Sequence, residues 1–467
     1  MLRCAPPVIV SRIPHKENVL SQDSPAEQDI SHDLGDGLVM RKARPSDRER
    51  LAEFHANNLL DIGETGPNEG LYAWMLDLMS GGHPTFRPGD FILVEDTAAG
   101  KIASSIGLIS QIWTYEGVPF KFGQPEIVST DPAYRRRGLV RAQFDEVHRW
   151  SAHRGELVQG ITGIPWYYRQ FGYELALNLG GGRSGFRPQV PRLKEGEPEP
   201  YRFRRATADD VPFILQMYHQ VSSRSMLASV RDDALWRYDI EGRSNKSDFR
   251  TELRVIETPG GESAGVLVHS RKLRASRLGA LLYEVKPGVP LIATTSSVVR
   301  YLEATGDEYG RRDGEEFQAF GFSLGEQHPV YDAIPERLPR IRKPYAWYIR
   351  VPDLPAFLRH IAPALEQRLA ASAHSGYTGE MKLNFYRSGL LLRFEAGRIS
   401  VEGWKPDRVE EGDAAFPDLT FLQLLFGYRS FEELQHAFAD CSANTEDARA
   451  LLPILFPRKV SNVWAGG

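Results

Sequence analysis

The chain has 467 residues, more than a single hydrophobic core usually supports, and this length predicts about three domains. Hydrophobic residues make up 42% of the chain and charged residues 25%, a composition that excludes global disorder. The formal net charge of -4 creates no strong field of one sign, which excludes broad binding to nucleic acid or to an anionic membrane.

Cysteines, histidines and apolar runs narrow the class of protein further. Cys4 and Cys441 stand at opposite ends of the chain, which suggests neither a disulfide framework nor a thiolate zinc site. His148 and His153 point to different faces of a helix, so we predict no metal. No apolar run approaches the ~18 residues that span a bilayer, and the first ten residues lack the apolar region of a signal peptide. We therefore expect a cytoplasmic protein without a membrane span.

The first segment of the chain, 1–36, is expected to be a flexible tail. Its stretch His15–Asp36 is polar and has no apolar face at helical or strand spacing. Regular structure is predicted from residue 37 onward, where the first strand and helix signals begin.

An internal repeat then divides the chain. Met40–Asp47 and Phe203–Asp210 share a strand end, an arginine, an alanine and a helix-capping aspartate in the same register. Strand-turn-strand patterns follow at nearly the same spacing in both copies, over Phe91–Ile109 and Leu253–Leu267. Two matches in the same order favour a duplication.

Proline-rich breaks set the predicted boundaries. The segment 191–200 is rich in proline and charge and is predicted to be a linker, so the two copies occupy 37–190 and 201–350. A second break near Val351–Pro355 separates a smaller third domain, 351–467, of helices and strands. We therefore predict an α+β protein with mixed sheets and three structured domains.

The segment Glu126–Val140 carries the chemistry of the first copy. A buried strand is stopped by Asp131-Pro132, and an arginine-rich turn ending at Gly138 leads into a helix from Leu139. Exposed N–H groups and the positive end of the helix face the turn, and a glycine lets this backbone approach a ligand closely. This pattern predicts an anion site suited to a pyrophosphate.

Two motifs in this copy resemble signatures of the GNAT acetyltransferase superfamily. Arg135–Val140 is similar to the Arg/Gln-x-x-Gly-x-Gly/Ala loop, although Val140 departs from its last position. Downstream, Tyr168–Tyr173 is similar to the second signature, Tyr-x-x-Phe-Gly-Tyr. The resemblance implies an acyltransferase that uses acetyl-CoA as cosubstrate and transfers acetyl directly to a primary amine.

The resemblance also implies roles for particular residues. Tyr168 would be the general acid that protonates the departing thiolate, and Glu126 is one candidate for the base. Backbone groups at the end of the strand would bind pantetheine, and the turn would cradle the phosphates. The implied cofactor-binding residues are Val128, Ser129, Thr130, Arg136, Arg137, Gly138, Leu139, Val140, Arg141, Gly163 and Ile164.

Two GNAT-like copies followed by a smaller α+β domain resemble acetyltransferases of the enhanced-intracellular-survival type, whose third domain is similar to a sterol carrier protein. This resemblance implies a homo-oligomer, a hexamer in that family. It also offers the terminal carboxylate of Gly467 as a second candidate for the base. The tail departs from the aromatic ending common there, and Trp464 is an alternative packing residue.

The acceptor is the least specified part of the prediction. Relatives acetylate aminoglycosides or lysine side chains, so a small-molecule amine or a lysine-bearing substrate is expected. The loop Gly63–Gly82 is a candidate wall of the acceptor pocket, and its Glu64, Glu69 and Asp77 could attract a cationic amine. The second copy lacks an Arg-x-x-Gly loop, so we expect it to be a degenerate, structural domain.

Two other functions stay open. An apolar helix at Phe421–Phe426 could line a lipid cavity, which would make the protein a non-enzymatic lipid or acyl-CoA carrier or a regulatory protein. Gly321–Gly325 matches the Gly-x-Ser-x-Gly elbow of hydrolases, with Ser323 as nucleophile. His328-Pro329 follows where an elbow needs a helix, and the segment reads instead as a repeat of Phe171–Tyr173.

Overall fold

The structure is a computed structural model that describes residues 31–59 and 66–464. Within these residues the strands form one sheet of nine strands, one of seven and one of five. Parallel and antiparallel pairs occur in all three sheets. The predicted α+β class with mixed sheets is therefore confirmed.

The first part of the chain alternates strands and helices. In order, its elements are β1 (Ser31–Gly35), β2 (Leu38–Lys42), α1 (Arg48–Asn58), α2 (Glu69–Leu78), β3 (Phe91–Asp96), β4 (Lys101–Tyr115), β5 (Val118–Thr130), α3 (Leu139–His153), β6 (Val158–Ile161), β7 (Glu174–Leu179) and β8 (Gly182–Phe186). Short 3-10 helices include Pro45–Asp47, Pro88–Asp90, Pro132–Tyr134 and Tyr167–Phe171.

The second part follows a similar order. Its elements are β9 (Arg202–Arg205), α4 (Val211–Arg224), β10 (Leu227–Ser229), α5 (Asp233–Arg237), a π-helix (Tyr238–Gly242), β11 (Thr251–Glu257), β12 (Ser263–Ser270), β13 (Arg277–Val285), α6 (Leu291–Asp313), β14 (Ala319–Phe322), α7 (Val330–Ala333), β15 (Arg340–Arg342) and β16 (Tyr345–Arg350).

The third part contains α8 (Leu354–Ala370), β17 (Gly379–Asn384), β18 (Gly389–Glu395), β19 (Arg398–Trp404), β20 (Ala414–Ala415), α9 (Phe421–Leu425), α10 (Phe431–Ala437), β21 (Ser442–Ala443) and α11 (Glu446–Leu455). Its sheet has the order β19-β18-β17-β20-β21. Side chains of α8 and α11 share one apolar core with Trp113 of β4 and Trp347 of β16. The third part is thus packed directly against the first sheet.

The end of the predicted tail is ordered, which corrects part of that prediction. Residues 1–30 lie outside the described residues, but Ser31–Gly35 pairs antiparallel with β2 around a turn at Asp36-Gly37. Both turn residues have positive φ, 52° and 74°. The strand contains one apolar residue, Leu34, which packs on the core of the first sheet. A single apolar side chain gives no periodicity from which an edge strand could be predicted.

The first and second sheets exchange strands. The order of the first sheet is β1-β2-β3-β4-β5-β6-β16-β7, with β10 also paired to β4. Strand β16, from the end of the second segment, thus lies between β6 and β7. Strand β8, from the first segment, lies between β14 and β15 in the second sheet. Neither of the segments predicted as domains, 37–190 and 201–350, completes its sheet alone.

The repeated motif forms an ion-pair network in the first copy. The Arg41 guanidinium donates to both carboxylate oxygens of Asp47, at 2.8 and 2.9 Å. It also donates to Glu95 Oε2 at 3.1 and 2.9 Å. The network therefore ties the end of β2 to the start of α1 and to β3.

The second copy builds the same network from its own residues. The Arg204 guanidinium donates to the two Asp210 oxygens at 2.7 Å each and to Glu257 Oε1 at 2.6 Å. Arg204 follows the start of β9, Asp210 precedes α4 and Glu257 ends β11. The sequence match between the copies therefore corresponds to matching contacts in the structure.

Candidate active site

A cleft opens where β5 and β6 separate. The two strands pair in parallel at Phe122 with Val158 and at Gly123 with Gln159. Beyond this point β5 continues to Thr130, and its next residues include Pro125, which has no N–H to donate. The cleft between the diverging chains has a volume of about 640 Å³.

A β-bulge shapes the strand wall of this cleft. Ser105 of β4 pairs with Ser129, whereas Gly107 pairs with Glu126, so β5 holds one residue more than β4 in this stretch. Ile127 adopts φ of +54°, in the left-handed region. Such a backbone costs a β-branched residue roughly 1–3 kcal/mol and is found mainly at functional sites. The bulge changes the direction of the end of β5, which lines the cleft.

The turn before α3 forms the second wall. Gly138 is the N-cap residue of α3 with φ of +77°, and the space where its Cβ would stand is open. The first bond of the helix runs from Ala142 N to Gly138 O, at 3.1 Å. The N–H groups of the first turn, Leu139–Arg141, thus have no acceptor within the helix. This geometry fits an anionic group such as a pyrophosphate.

Val140, the departure from the expected loop signature, does not obstruct the turn. Its side chain packs against the core that contains Leu139 and Phe144. A side chain directed into the core leaves the main-chain N–H available at the helix terminus. The valine is therefore compatible with an anion held by the backbone.

Four arginines surround the turn. Arg137 pairs with Asp36 at 3.0 Å, and Arg141 donates to Gln170 Oε1 at 2.9 Å. Arg135 contacts the Thr130 carbonyl at 3.4 Å. The exposed guanidinium of Arg136 has no hydrogen bond or ion pair with any described residue. This rim is positively charged and, at Arg136, unneutralised.

The wall opposite the arginine turn is aromatic. Tyr168, in the 3-10 helix Tyr167–Phe171, is 4% exposed and lines the cleft. Burial raises its pKa, and the negative charge of Glu126 raises it further. The hydroxyl is therefore protonated at neutral pH, and no described residue forms a hydrogen bond with it.

The exchanged strand β16 braces this wall. The Tyr348 ring contacts the Tyr168 ring edge to face, with centroids 5.4 Å apart. The Tyr348 hydroxyl donates to the Ile164 carbonyl at 3.3 Å. The position of Tyr168 thus depends on a residue 180 positions further along the chain.

Most of the predicted cofactor-binding residues come together in the cleft. Its walls include Val128, Ser129, Thr130, Arg136, Arg137, Gly138, Leu139, Val140, Arg141 and Ile164. Gly163 is not among the lining residues: a Cβ on it would stand 3.7 Å from the Tyr168 hydroxyl, an ordinary contact, and its φ is +125°. Its backbone conformation, rather than a lack of space, therefore favours glycine.

Glu126 lies beside the cleft rather than in its lining. Its Oε2 accepts from Gln124 Nε2 at 2.6 Å, and its Oε1 accepts from the Ile127 N–H at 3.3 Å. Burial raises the pKa of Glu126. The Glu126 carboxyl group and the Tyr168 hydroxyl interact electrostatically, because a negative charge on Glu126 raises the pKa of Tyr168.

The sequence did not identify every residue of the cleft. Asn58 and Leu59, at the end of α1, contribute to the lining, and so do Tyr134, Gln170 and Phe171. Tyr134 precedes the first motif, and Gln170 and Phe171 lie within the second, so their place in the sequence could have indicated all three. Asn58 and Leu59 carry no local signal, because only tertiary packing brings α1 to the cleft.

The end of the chain is described as far as Trp464. Gly467, the alternative base, lies outside the described residues. The Trp464 carbonyl accepts from Ser229 Oγ at 2.8 Å, and its ring lies 6.3 Å from that of Trp236. Trp464 thus packs against the core formed by α4 and α5.

The expected acceptor loop is largely helical. Residues 60–65, including Glu64, lie outside the described residues, whereas Glu69 and Asp77 belong to α2. Asp77 Oδ2 accepts from the Ser244 N–H at 2.9 Å, and burial raises its pKa. Asp77 therefore joins α2 to the second segment, and its attraction for a cationic amine stays a prediction.

The Gly-x-Ser-x-Gly segment occupies a different place from the one expected. Phe320-Gly321-Phe322 lies in β14, which pairs in parallel with β13 as β6 pairs with β5. It therefore corresponds to β6 and does not repeat Phe171–Tyr173. Ser323 Oγ accepts from Arg342 at 3.2 Å, and the next helix begins only at Val330. Across the described chain no histidine nitrogen bonds to Ser323.

The second sheet also has a cleft beside its parallel pair. Its volume is about 420 Å³, and its lining includes Leu281–Tyr283 and Glu326–Pro329. The C-terminal segment Val460–Asn462 forms part of the wall, with Asn462 Cβ 2.9 Å from where a Cβ on Gly325 would stand. The loop 286–290 before α6 reads Lys-Pro-Gly-Val-Pro, so it has no arginine and two of its residues lack an N–H.

Metal and membrane features were sought in the same residues. Within 31–59 and 66–464, no three or more His, Cys, Asp or Glu side chains form a group that could hold a metal ion. The helices in these ranges are all too short or too polar to cross a bilayer.

Comparison with known proteins gives a family for part of the chain. Residues 40–176 match the family described as "Acetyltransferase (GNAT) domain". This range includes both walls of the first cleft. No curated protein sequence matches the chain significantly.

Solved structures extend the likeness to nearly the whole chain. A protein from Enterococcus faecalis V583, described as a probable N-acyltransferase, has TM-score 0.63 and 16% identity, covering 92% of this chain and 100% of the other. A GCN5-related N-acetyltransferase from Anabaena variabilis has TM-score 0.61 and 13% identity, covering 91% and 99%. Eis1 from Mycobacterium abscessus has TM-score 0.54 and 13% identity, covering 92% and 99%. At these identities the likeness establishes the fold.

Proposed function

Because residues 40–176 match a GNAT acetyltransferase domain, we propose that the protein transfers acetyl from acetyl-CoA directly to a primary amine. The amine would belong to an aminoglycoside-like small molecule or to a lysine side chain. One observation carries the proposal: a single cleft joins an anion-binding turn at Gly138 to a buried, protonated Tyr168 beside the carboxylate of Glu126.

The residues of the cleft fit acetyl-CoA in three places. The N–H groups at the start of α3 would hold the pyrophosphate, and Arg136 would add a positive charge. The strand end Val128–Thr130 offers main-chain groups to pantetheine, and the exposed side chain of Ile164 offers an apolar surface. Bound acetyl-CoA supplies an activated acyl group as a thioester.

Proton transfer falls to Glu126 and Tyr168. An amine must lose a proton in order to attack, and burial makes Glu126 a stronger base than an exposed carboxylate. Tyr168 keeps its proton at neutral pH and can donate it, or a hydrogen bond, to the sulfur that leaves. A main-chain N–H at Val128–Thr130 would polarise the acyl carbonyl.

The second candidate for the base is the terminal carboxylate of Gly467. Trp464, three residues earlier, accepts a hydrogen bond from Ser229, the last residue of β10, which pairs with β4. Removing Ala465–Gly467 separates the two candidates. Loss of activity on truncation would favour Gly467, and an active truncated protein would favour Glu126.

A non-enzymatic role has a specific observation in its favour. The third part of the chain contains a groove of about 980 Å³ whose lining includes Phe385, Trp404, Phe421 and Leu422. A lipid or acyl-CoA carrier would use such a surface. Native mass spectrometry of the purified protein tests this role, because bound lipid would appear as added mass and its absence would count against a carrier.

We also propose that the second segment supports subunit contacts in a homo-oligomer, a hexamer by family resemblance. Ile292 and Ile341 are 62% and 65% exposed on this segment, which supports an apolar contact surface. Analytical ultracentrifugation would measure the assembly. A monomer at micromolar concentration would contradict the proposal.

The decisive experiment measures thiol release from acetyl-CoA against a panel of polyamines, aminoglycosides and lysine peptides. We expect release that depends on one class of amine. Binding of acetyl-CoA should be measured in parallel by calorimetry. Binding without turnover across the panel would favour a carrier or regulatory role, and an absence of binding would refute the proposed function.

A further inference from the structure

Three side chains beside the site form a chain of hydrogen bonds that ends on Glu126. Trp113 Nε1 donates to Gln111 Oε1 at 2.9 Å, and Gln111 Nε2 donates to Gln124 Oε1 at 2.6 Å. Gln124 Nε2 then donates to Glu126 Oε2, also at 2.6 Å. Trp113 and Gln111 alternate on β4, as Gln124 and Glu126 do on β5, so all four side chains lie on one face of the sheet.

The chemistry of the first residue fixes the direction of every bond in this chain. An indole N–H can only donate, so the amide oxygen of Gln111 must face Trp113. The amide nitrogen of Gln111 then faces Gln124, whose oxygen must accept. The nitrogen of Gln124 is thereby directed at the carboxylate of Glu126.

We infer that Trp113, Gln111 and Gln124 are positioning residues that hold Glu126 in its proton-accepting form. This inference rests on the proposed function, with Glu126 as base. If the Gln124 amide were reversed, its oxygen would face the carboxylate and would favour a protonated Glu126. The three hydrogen bonds from Trp113 through Gln111 and Gln124 to Glu126 form a relay. Its fixed direction excludes that arrangement.

The effect on the pKa has a definite sign. Burial raises the pKa of Glu126, whereas the hydrogen bond from Gln124 lowers it. The relay therefore opposes burial and keeps the carboxylate ionised at lower pH than burial alone would allow. An ionised, partly desolvated carboxylate is the state that a general base requires.

The starting point of the relay is rigid. Trp113 is fully buried and stacks on Phe122, with ring centroids 3.7 Å apart and planes 9° apart. The ring of Trp347, on the exchanged strand β16, meets that of Trp113 edge to face, with centroids 5.7 Å apart. The first residue of the relay is thus held in a core to which the exchanged strand β16 contributes.

The test is the pH dependence of kcat/KM for acetyl transfer. Glu126→Gln is measured first. The acid limb of the wild-type profile, the fall of kcat/KM at low pH, should disappear in this variant. The variant Gln111→Glu then reverses the relay at constant size, because a carboxylate accepts from both Trp113 and Gln124 and turns the Gln124 oxygen toward Glu126. We expect the acid limb to move to higher pH by about one to two units, the effect of a hydrogen bond to a charged group.

A double-mutant cycle separates the relay from a direct charge effect. In a Gln124→Leu background the amide is absent, so Gln111→Glu should add little further shift. A shift that persisted in that background would show that the new charge acts directly on Glu126. That result would overturn the inference.

The chain offers a matched control for the first residue. Trp113→Phe removes the indole donor and should move the acid limb in the same direction as Gln111→Glu, by a smaller amount. Trp347→Phe makes the same substitution in the same core, but the indole nitrogen of Trp347 has no partner in the part of the chain that the structure describes. Trp347→Phe should lower thermal stability without moving the limb.

The outcomes distinguish the inference from the proposed function. Wild-type protein without acetyl transfer would refute the function. Transfer with an acid limb that survives Glu126→Gln would assign the base elsewhere and remove the premise of the relay. A limb that depends on Glu126 but does not move in Gln111→Glu, with that variant folded by thermal melting, would refute the relay alone.

Discussion

The two clefts described above open beside equivalent pairs of parallel strands, yet they differ in the residues and turns that surround them. The first is bounded by Gly138, by N–H groups without helical acceptors and by arginines. The second is lined in part by the C-terminal segment at Asn462, and the loop before the equivalent helix α6 contains two prolines and no arginine. The comparison teaches that the fold supplies an opening, whereas the turn before the following helix decides whether the opening can hold a coenzyme.

The largest expected difference concerns the tyrosines. Tyr168→Phe should lower kcat by roughly 10²-fold or more, because general acid catalysis contributes about 10²–10⁴-fold, with little change in the affinity for acetyl-CoA. Tyr283→Phe removes a buried hydroxyl from the second cleft, where it contacts Thr295 Oγ1 at 3.0 Å, and should leave kcat unchanged. Steady-state kinetics and calorimetry measure both. Equal losses in the two variants would contradict the assignment of one active site.

A smaller difference is expected for the glycines of the two turns. Gly138 and Gly288 have φ of +77° and +86°, and both have open space where a Cβ would stand. Valine at either position costs about 1–2 kcal/mol of backbone strain. Only Gly138→Val should also weaken acetyl-CoA binding, by about 10-fold or more, because the turn would lose its close approach to the pyrophosphate. Equal acetyl-CoA affinities of the two variants in calorimetry would contradict the proposed pyrophosphate site at Gly138.

The pH dependence of the first cleft should be one-sided. As the proposed base, Glu126 would lose its function when protonated, and burial raises its pKa above the ordinary 4.5, so kcat/KM should fall as pH falls through that raised value. The pKa of Tyr168 is raised as well, so its deprotonation should produce no basic limb below about pH 10. A bell-shaped profile with a basic limb near pH 8 would assign the acid to another group.

The smallest expected effect is that of a single surface charge. Arg136→Gln should weaken acetyl-CoA binding by about two- to fivefold and reduce its dependence on salt, because exposed charges are screened. Lys286→Gln, at the equivalent turn of the second sheet, should change neither. Titrations at low and high salt measure the difference. An unchanged salt dependence in Arg136→Gln would remove that residue from the phosphate site.

Much of the first cleft could be predicted from sequence because its signals are local. The strand end, the Asp131-Pro132 stop, Gly138 and the helix start follow one another within a short stretch, so each constrains the next. Tyr168 was identified in the same way, through the residues that follow it. The predicted cofactor-binding residues line the cleft, except Gly163, which is not part of the lining.

The remaining features depend on distant parts of the chain. Nothing in β8 or β16 distinguishes a strand that joins its own sheet from one that crosses to the other. Asn58 carries no motif, and it reaches the cleft because α1 packs beside β5. Gln111 and Gln124 are polar residues that alternate on strands, a pattern that predicts a solvated face, and only the pairing of β4 with β5 reveals their contact.

The exchange of β8 and β16 has a consequence for how the protein is made. On the ribosome, the first sheet cannot be completed until Tyr345–Arg350 has been synthesised. The edges of β6 and β7 that pair with this strand therefore stay unpaired while the second segment is translated. The sheet that carries the first cleft is therefore among the first parts translated and among the last completed. Acetyltransferase activity should appear only in chains long enough to include the inserted strand.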